Sequence, residues 1–227
     1  MGVTRPSAIV FDLDGTLVDT APDLAAAMNH VLALHGRRAV PLDRVRHMVG
    51  RGARVLMARG FSETGSPAED RVIEELYGEF LDYYLKNIAA ASRPFSGLPG
   101  VLSRLEGEAV ALGVCTNKPE SAAHALLQAL DLGGHFGAVI GGDTLPVSKP
   151  DPATALETLR RLDADPAAAV FVGDSETDIL TARAAGLPVI GVSFGYTEAP
   201  VETFGPDAMI DRFDELPAAI EAVLARR

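Results

Sequence analysis

Six short apolar runs recur along the chain, at residues 8–11, 109–115, 138–140, 167–172, 188–192 and, more weakly, 208–210, and they are near-continuous rather than alternating. A strand with one face in water alternates apolar and polar positions; a strand covered on both faces does not, because every side chain meets protein. Runs of this kind, separated by helix-like stretches, point to a parallel sheet with helices on both faces.

The alternation of strand and helix fails once. From residue 21 to about 91 no convincing strand run occurs and the pattern is helical, with Val72, Ile73, Leu76, Tyr77, Phe80, Leu81 and Tyr84 marking one face at a period of 3.6. The expected architecture is α/β: a Rossmann-like parallel sheet core flanked by helices (residues 1–19 and 92–227), with an all-helical domain (residues 20–91) inserted after the first strand. RPFSGLPG, residues 93–100, reads as the returning linker. Helix starts are expected at Pro119 and Pro152, and Ser66, Pro67, Ala68 and Glu69 form a capping-box pattern.

With 227 residues, 48% of them hydrophobic, the chain can bury such a core. No apolar run approaches the roughly 20 residues of a bilayer crossing, and the opening MGVTRPS lacks the apolar segment of a secretion signal, so a cytoplasmic protein is expected. The single cysteine, Cys115, has no internal partner and reads as a small core residue. A net charge of −11 argues against a nucleic-acid surface, so any phosphate must be met by local cations. The five histidines show no zinc spacing, and His30 and His35 read as surface or packing residues.

Four of the apolar runs lead into polar clusters: AIVF into DLDGT, ALGVC into TNK, AVI into GGDTLPVSKPDP, and AAVFV into GDSETD. In a parallel sheet these ends share one edge, and ligands bind outside the carboxyl ends of the strands. Asp12 and Asp14, two apart, can then face one crevice while Leu13 turns to the core. Two carboxylates about 4 Å apart repel by on the order of 4 kcal/mol at an effective dielectric of 20. Asp174 adds a third, so the site calls for a cation, and oxygen ligands left partly open for water and phosphate suit Mg²⁺ better than zinc. Lys149 supplies a second positive charge.

DLDGTLVDT, TNK, the lysine of SKPDP and GDSETD resemble, in order and over nearly the whole chain, the four motifs of the haloacid dehalogenase superfamily of phosphohydrolases. The inserted helices resemble that superfamily's helical cap. VGRGARVLMARG, residues 49–60, together with IGGDTLPVSKPDP, residues 140–152, is most similar to the bacterial phosphoglycolate phosphatase group. The resemblance implies a Mg²⁺-dependent phosphomonoesterase in which Asp12 attacks phosphorus and Asp14 acts as general acid and then base. By the same resemblance Asp12, Asp174 and the Asp14 backbone carbonyl hold the metal, and Thr116 and Asn117 bind the phosphoryl oxygens. Lys149 neutralises charge, and Asp178 orients Lys149 or the metal waters. The implied partner is a small phosphorylated metabolite, 2-phosphoglycolate foremost, for a monomer or homodimer.

Other readings of individual residues are plainer. Ser175 and Asp178 also form a capping box. Asp143 could stand near the metal site but reads rather as a structural loop acid, and Asp19 reads as a residue preceding a helix. Arg51, between Gly50 and Gly52, is a candidate to pair with a substrate carboxylate, and Arg54 a weaker one. Within the same resemblance, phosphatases for sugar or sugar-acid phosphates, a pyrophosphatase and a phosphosugar mutase stay open. A signalling receiver domain also gathers acids, threonine and lysine at strand ends, but the helical insertion and the chain's length disfavour it. An inactive phosphate-binding relative would not need the intact quartet of motifs.

Overall fold

A computed structural model describes residues 5–196 and 199–226. The buried strand β1 (Ala8–Phe11) is followed by a two-residue strand, β2 (Val18–Asp19), and by helices α1 (Ala21–Leu34), α2 (Leu42–Arg46), α3 (Ala53–Thr64) and α4 (Asp70–Lys86). The chain returns through β3 (Arg93–Pro94) into α5 (Leu98–Gly107), β4 (Ala111–Cys115), α6 (Glu120–Ala129), β5 (Ala138–Ile140) and α7 (Ala153–Arg161). β6 (Ala169–Gly173), α8 (Glu176–Ala184), β7 (Val189–Val192), β8 (Ala208–Ile210) and α9 (Leu216–Leu224) complete it. Every one of the apolar runs expected as a strand is one. No helix among the described residues is long and apolar enough to cross a membrane.

The six longer strands form one parallel sheet in the order β5-β4-β1-β6-β7-β8. From β1 the chain steps outward to β4 and β5, then crosses back to β6 on the other flank, so the strand order reverses beside β1. A crevice opens at the carboxyl ends of strands at such a reversal. The pleat sorts the side chains between two apolar layers. Ile9, Phe11, Val114, Val172 and Ile190 face a cluster closed by α5, α6 and α9, whereas Val10, Cys115 and Phe171 face Leu159 of α7 and Ile179 of α8. Burying Phe11 or Phe171 contributes ~1.5–3 kcal/mol, and a polar residue on either face would forfeit it.

Helices α1 to α4 hold a third cluster of their own, including Met28, Val31, Leu56, Phe61, Ile73, Phe80 and Tyr84. On α4 the residues spaced at 3.6 face inward: Ile73, Phe80 and Tyr84 are buried, and Leu76, Tyr77 and Leu81 pack at the edge. Gly60 lets α3 approach α1, since a Cβ there would lie 2.5 Å from Met28 Sδ.

Two features depart from the sequence reading. The two connections flanking the helices pair with each other, β2 antiparallel to β3, with Val18 opposite Pro94 and Asp19 opposite Arg93. The pattern at Ser66 to Glu69 does not cap a helix: α4 begins at Asp70, and Glu69 at the N-cap is extended (φ −67°, ψ 150°) with no side-chain cap bond. Ser66 lies ahead of the helix, where its carbonyl accepts from Arg37 Nη2 at 3.1 Å. Pro119 and Pro152 occupy the N-cap positions, and the helices begin at Glu120 and Ala153.

Candidate active site

The last rung of β1 is the bond from the Asp12 amide to the Val172 carbonyl, 2.9 Å. Beyond it Leu13 turns into the core and Gly15 bends the chain at φ +90°. A Cβ on Gly15 would lie 2.4 Å from Asp174 Oδ2, so the close passage of this loop past the end of β6 requires glycine. Asp174 is held there by Thr16 Oγ1 (2.8 Å) and the Tyr196 amide (2.7 Å), which donate to its two oxygens.

Lys149, on the loop after β5, reaches across the strand ends. Its Nζ lies 2.7 Å from Asp12 Oδ1 and 2.6 Å from Asp178 Oδ1, with all three side chains buried. Asp178 has two tasks. Its other oxygen accepts from the amide and hydroxyl of Ser175 at 3.1 and 2.6 Å, so it closes the capping box of α8 while it pairs with Lys149. Burial raises the Asp12 carboxyl to about 7, helped by the charge of Asp178 and opposed by Lys149. Burial likewise pushes Asp174 well above the carboxylate range, with Asp178 and Asp12 adding to it. Burial works against the charge on Lys149, but Asp12 and Asp178 outweigh it and hold the ammonium protonated.

Asp12, Asp174 and Asp178 each offer an oxygen within 4.8 Å of the others, all buried. Three carboxylates against one ammonium leave surplus negative charge in a desolvated space. The donors are all hard oxygens, which fits a hard divalent cation. The Asp14 side chain stands apart from this cluster: Thr20 Oγ1 donates to its Oδ1 at 2.6 Å and Lys118 Nζ lies 3.1 Å from the same oxygen.

Asp12 and Asp14 also line a cavity of about 30 Å³ beneath the helices. Thr116, Asn117 and Lys118 form its polar floor, and Leu24, Val49, Leu56, Phe80 and Tyr84 its apolar walls. Thr116 is placed by its amide bond to the Ile140 carbonyl, 2.9 Å, and Asn117 by Nδ2 bonds to the carbonyls of Gly50 and Lys149 at 3.2 and 3.3 Å. Arg51 lies outside this lining, half exposed, with Nη2 3.4 Å from Glu176 Oε2. Arg54 pairs with Glu74 and stacks over Tyr77.

The remaining residues take structural places. Asp143 accepts from the Glu120 amide at 2.7 Å and so caps α6, and Asp19 binds Arg46 and the Tyr196 hydroxyl. Cys115 is fully buried, which pushes its thiol up to about 11. His30 sits 2.8 Å from Glu79, and His35 stands edge-on to Phe61. Two groups at the site have no counterpart in the sequence reading: Lys118, visible only as the last letter of TNK, and Tyr196, which no local pattern marks.

Residues 9–192 match the family model of the haloacid dehalogenase-like hydrolases. The chain is 47% identical over 218 residues to a phosphoglycolate phosphatase of Caulobacter vibrioides, covering 96% of this chain and 92% of the relative. It is 44% identical over 224 residues to a phosphoglycolate phosphatase of Mesorhizobium japonicum, covering 99% and 98%. The crystal structure of a predicted phosphoglycolate phosphatase from Haemophilus somnus 129PT superposes with a TM-score of 0.89 at 31% identity, over 96% of this chain and 99% of that one.

Proposed function

The chain belongs to the haloacid dehalogenase-like hydrolase family, and on that premise we propose that it is a phosphoric monoester hydrolase that cleaves 2-phosphoglycolate to glycolate and phosphate, with Mg²⁺ as its metal. The observation that carries this reading is Lys149 fixed between Asp12 and Asp178, with Asp174 close by, on the strand ends beside a small enclosed cavity.

Asp12 attacks phosphorus: a bond forms between its carboxylate oxygen and phosphorus, and the ester P–O bond breaks with its electron pair going to the alkoxide. Asp14 gives that oxygen a proton, so glycolate leaves as the alcohol. In the second step Asp14 takes a proton from water, the water oxygen attacks phosphorus, and the bond to Asp12 breaks to return the free carboxylate and inorganic phosphate. Thr116 and Asn117 donate to the phosphoryl oxygens, and Lys149 offsets the charge on Asp12 and on the transferring group. Asp12, Asp174 and the Asp14 carbonyl would hold Mg²⁺, which when bound supplies further neutralisation of phosphoryl charge. Residues 20–91 form the cap over a core of residues 1–19 and 92–227, and exclude bulk water while admitting the one water that Asp14 activates.

The test is a panel of small phosphate esters, among them sugar phosphates, sugar-acid phosphates and pyrophosphate, assayed with and without Mg²⁺ and with Asp12→Asn as control. Preference for 2-phosphoglycolate, loss of turnover on chelation, and no turnover by Asp12→Asn are expected. A flat panel would remove phosphoglycolate from the reading, and an active Asp12→Asn would remove the mechanism.

A further inference from the structure

The cavity beside Asp12 and Asp14 is the space a leaving group must occupy, and its chemistry is lopsided. Its walls are aliphatic and aromatic, and among the residues that line it Lys118 is the sole cation. Lys118 is 5% exposed, with its ammonium 4.5 Å from the ring centroid of Tyr84. Asp14 Oδ1, 3.1 Å away, takes one of its three N–H donors. The Tyr84 hydroxyl is buried beside the Lys118 ammonium and has no other polar neighbour to bond among the described residues. Buried polar groups are normally fully satisfied, so a hydroxyl with a spare position on a cavity wall marks a place for a ligand oxygen.

The other cations near the strand ends are committed elsewhere. Lys149 is locked between Asp12 and Asp178, and Arg51 lies half exposed against Glu176. A neutral leaving group would leave Lys118 with Asp14 as its one carboxylate partner and its remaining donors facing an apolar space, whereas a substrate carboxylate accepts from those donors and from the Tyr84 hydroxyl.

We propose that Lys118 and Tyr84 form a carboxylate clamp that makes this site select phosphate esters of short 2-hydroxy acids over esters of neutral alcohols of the same size. The assignment rests on the phosphatase reading above. It moves the recognition of the substrate carboxylate from the rim arginine, Arg51, to a buried lysine and tyrosine. The small cavity restricts the acid to a short chain.

The experiment compares kcat/KM for 2-phosphoglycolate and for 2-hydroxyethyl phosphate, which is similar in size and lacks the carboxylate. It uses the wild type, Lys118→Met, Lys118→Arg and Tyr84→Phe, with thermal unfolding of each as a check on folding. The wild type should prefer phosphoglycolate by about 10²-fold or more, as sites built to hydrogen-bond a substrate group do. Lys118→Met should erase most of that preference, chiefly by raising KM for phosphoglycolate, and Lys118→Arg should restore part of it. Tyr84→Phe should cut the preference by roughly 3- to 10-fold, the usual range for one hydrogen bond.

If Lys118→Met lowers both esters by the same factor, Lys118 serves Asp14 alone and the clamp is wrong, while the phosphatase reading stands. Equal treatment of both esters by the wild type also overturns the clamp. Turnover of neither ester overturns the reading beneath it instead. If Lys118→Met does not fold, Tyr84→Phe decides, and an unchanged preference there rejects the clamp.

Discussion

Asp12, the nucleophile and metal ligand of the proposed reaction, is the ion-pair partner of Lys149 in a space that burial makes hostile to charge. In the metal-free protein its carboxyl stands at about 7 against an ordinary 3.8, and Asp174 is raised in the same sense. An acid raised on folding stabilises the fold in its protonated form. Its contribution is therefore complete below about pH 4 and is lost as the pH climbs through about 7. A divalent cation favours the ionised carboxylates and reverses the loss. The rise in melting temperature on adding Mg²⁺ should thus be larger at about pH 8 than at about pH 5.5, and EDTA should abolish it. A rise independent of pH would mean that the metal does not sit on these carboxylates. Lys149→Met tests the same cluster from the other side. Leaving Asp12 and Asp178 buried without their ammonium should cost the metal-free protein about 3–5 kcal/mol at neutral pH in urea unfolding, and added Mg²⁺ should recover part of it.

At the scale of elements, the helical insertion is tied to its two connections by a buried acid, a partly exposed one and a tyrosine. Asp23, near the start of α1, accepts from the amides of Ala91 and Ser92 and from the Ser92 hydroxyl at 2.6 Å, joining the way into the helices to the way out. The Tyr196 hydroxyl donates to Asp19 at 2.5 Å and accepts from the Ala21 amide at 3.1 Å, while its own amide binds Asp174. One residue therefore spans the carboxylate cluster and the connection at residues 19–21, the hinge on which the helices would turn. Tyr196→Phe should cost about 1–3 kcal/mol, because it leaves a buried amide unpaired, and it should speed hydrogen exchange at Ala21. Unchanged exchange there would show that the hydroxyl does not hold the hinge. These ties also show where sequence reading stops. Strands such as residues 169–173 are legible because burial on both faces forbids polar residues, and Asp12, Lys149 and Asp174 are legible because few chemistries tolerate such crowding. Nothing local marks Asp23, whose partners lie 68 and 69 residues away, or Tyr196, whose partner Asp19 is 177 away. A two-residue ribbon such as β2–β3 is too short to show a period. Lys118 stands in plain view in TNK, yet only the fold brings it to Asp14 and Tyr84.

For the molecule as a whole, the helices sit directly over the strand ends. The Gly50 carbonyl accepts from Asn117 Nδ2 at 3.2 Å, and a Cβ on Gly52 would come within 3.3 Å of the Asn117 carbonyl oxygen. Ala122 of α6 joins the apolar cluster of the helices. The space left is about 30 Å³, too small for a phosphate ester, so the proposed reaction requires the helices to lift. Lifting is inexpensive at the rim, where the Arg51–Glu176 contact joins two half-exposed side chains and contributes about 0–1 kcal/mol. Closure is what makes the inner charges effective, because excluding water strengthens every electrostatic interaction around phosphorus. A phosphate carried on a folded protein or a long peptide holds the helices apart, and the cavity stays wet. A phosphoserine peptide should therefore be hydrolysed with a kcat/KM lower than that of 2-phosphoglycolate by about 10²-fold or more, in keeping with the sensitivity of positioned reactions to small misplacements. Comparable turnover of the two would mean that the enclosed cavity is not where the reaction occurs.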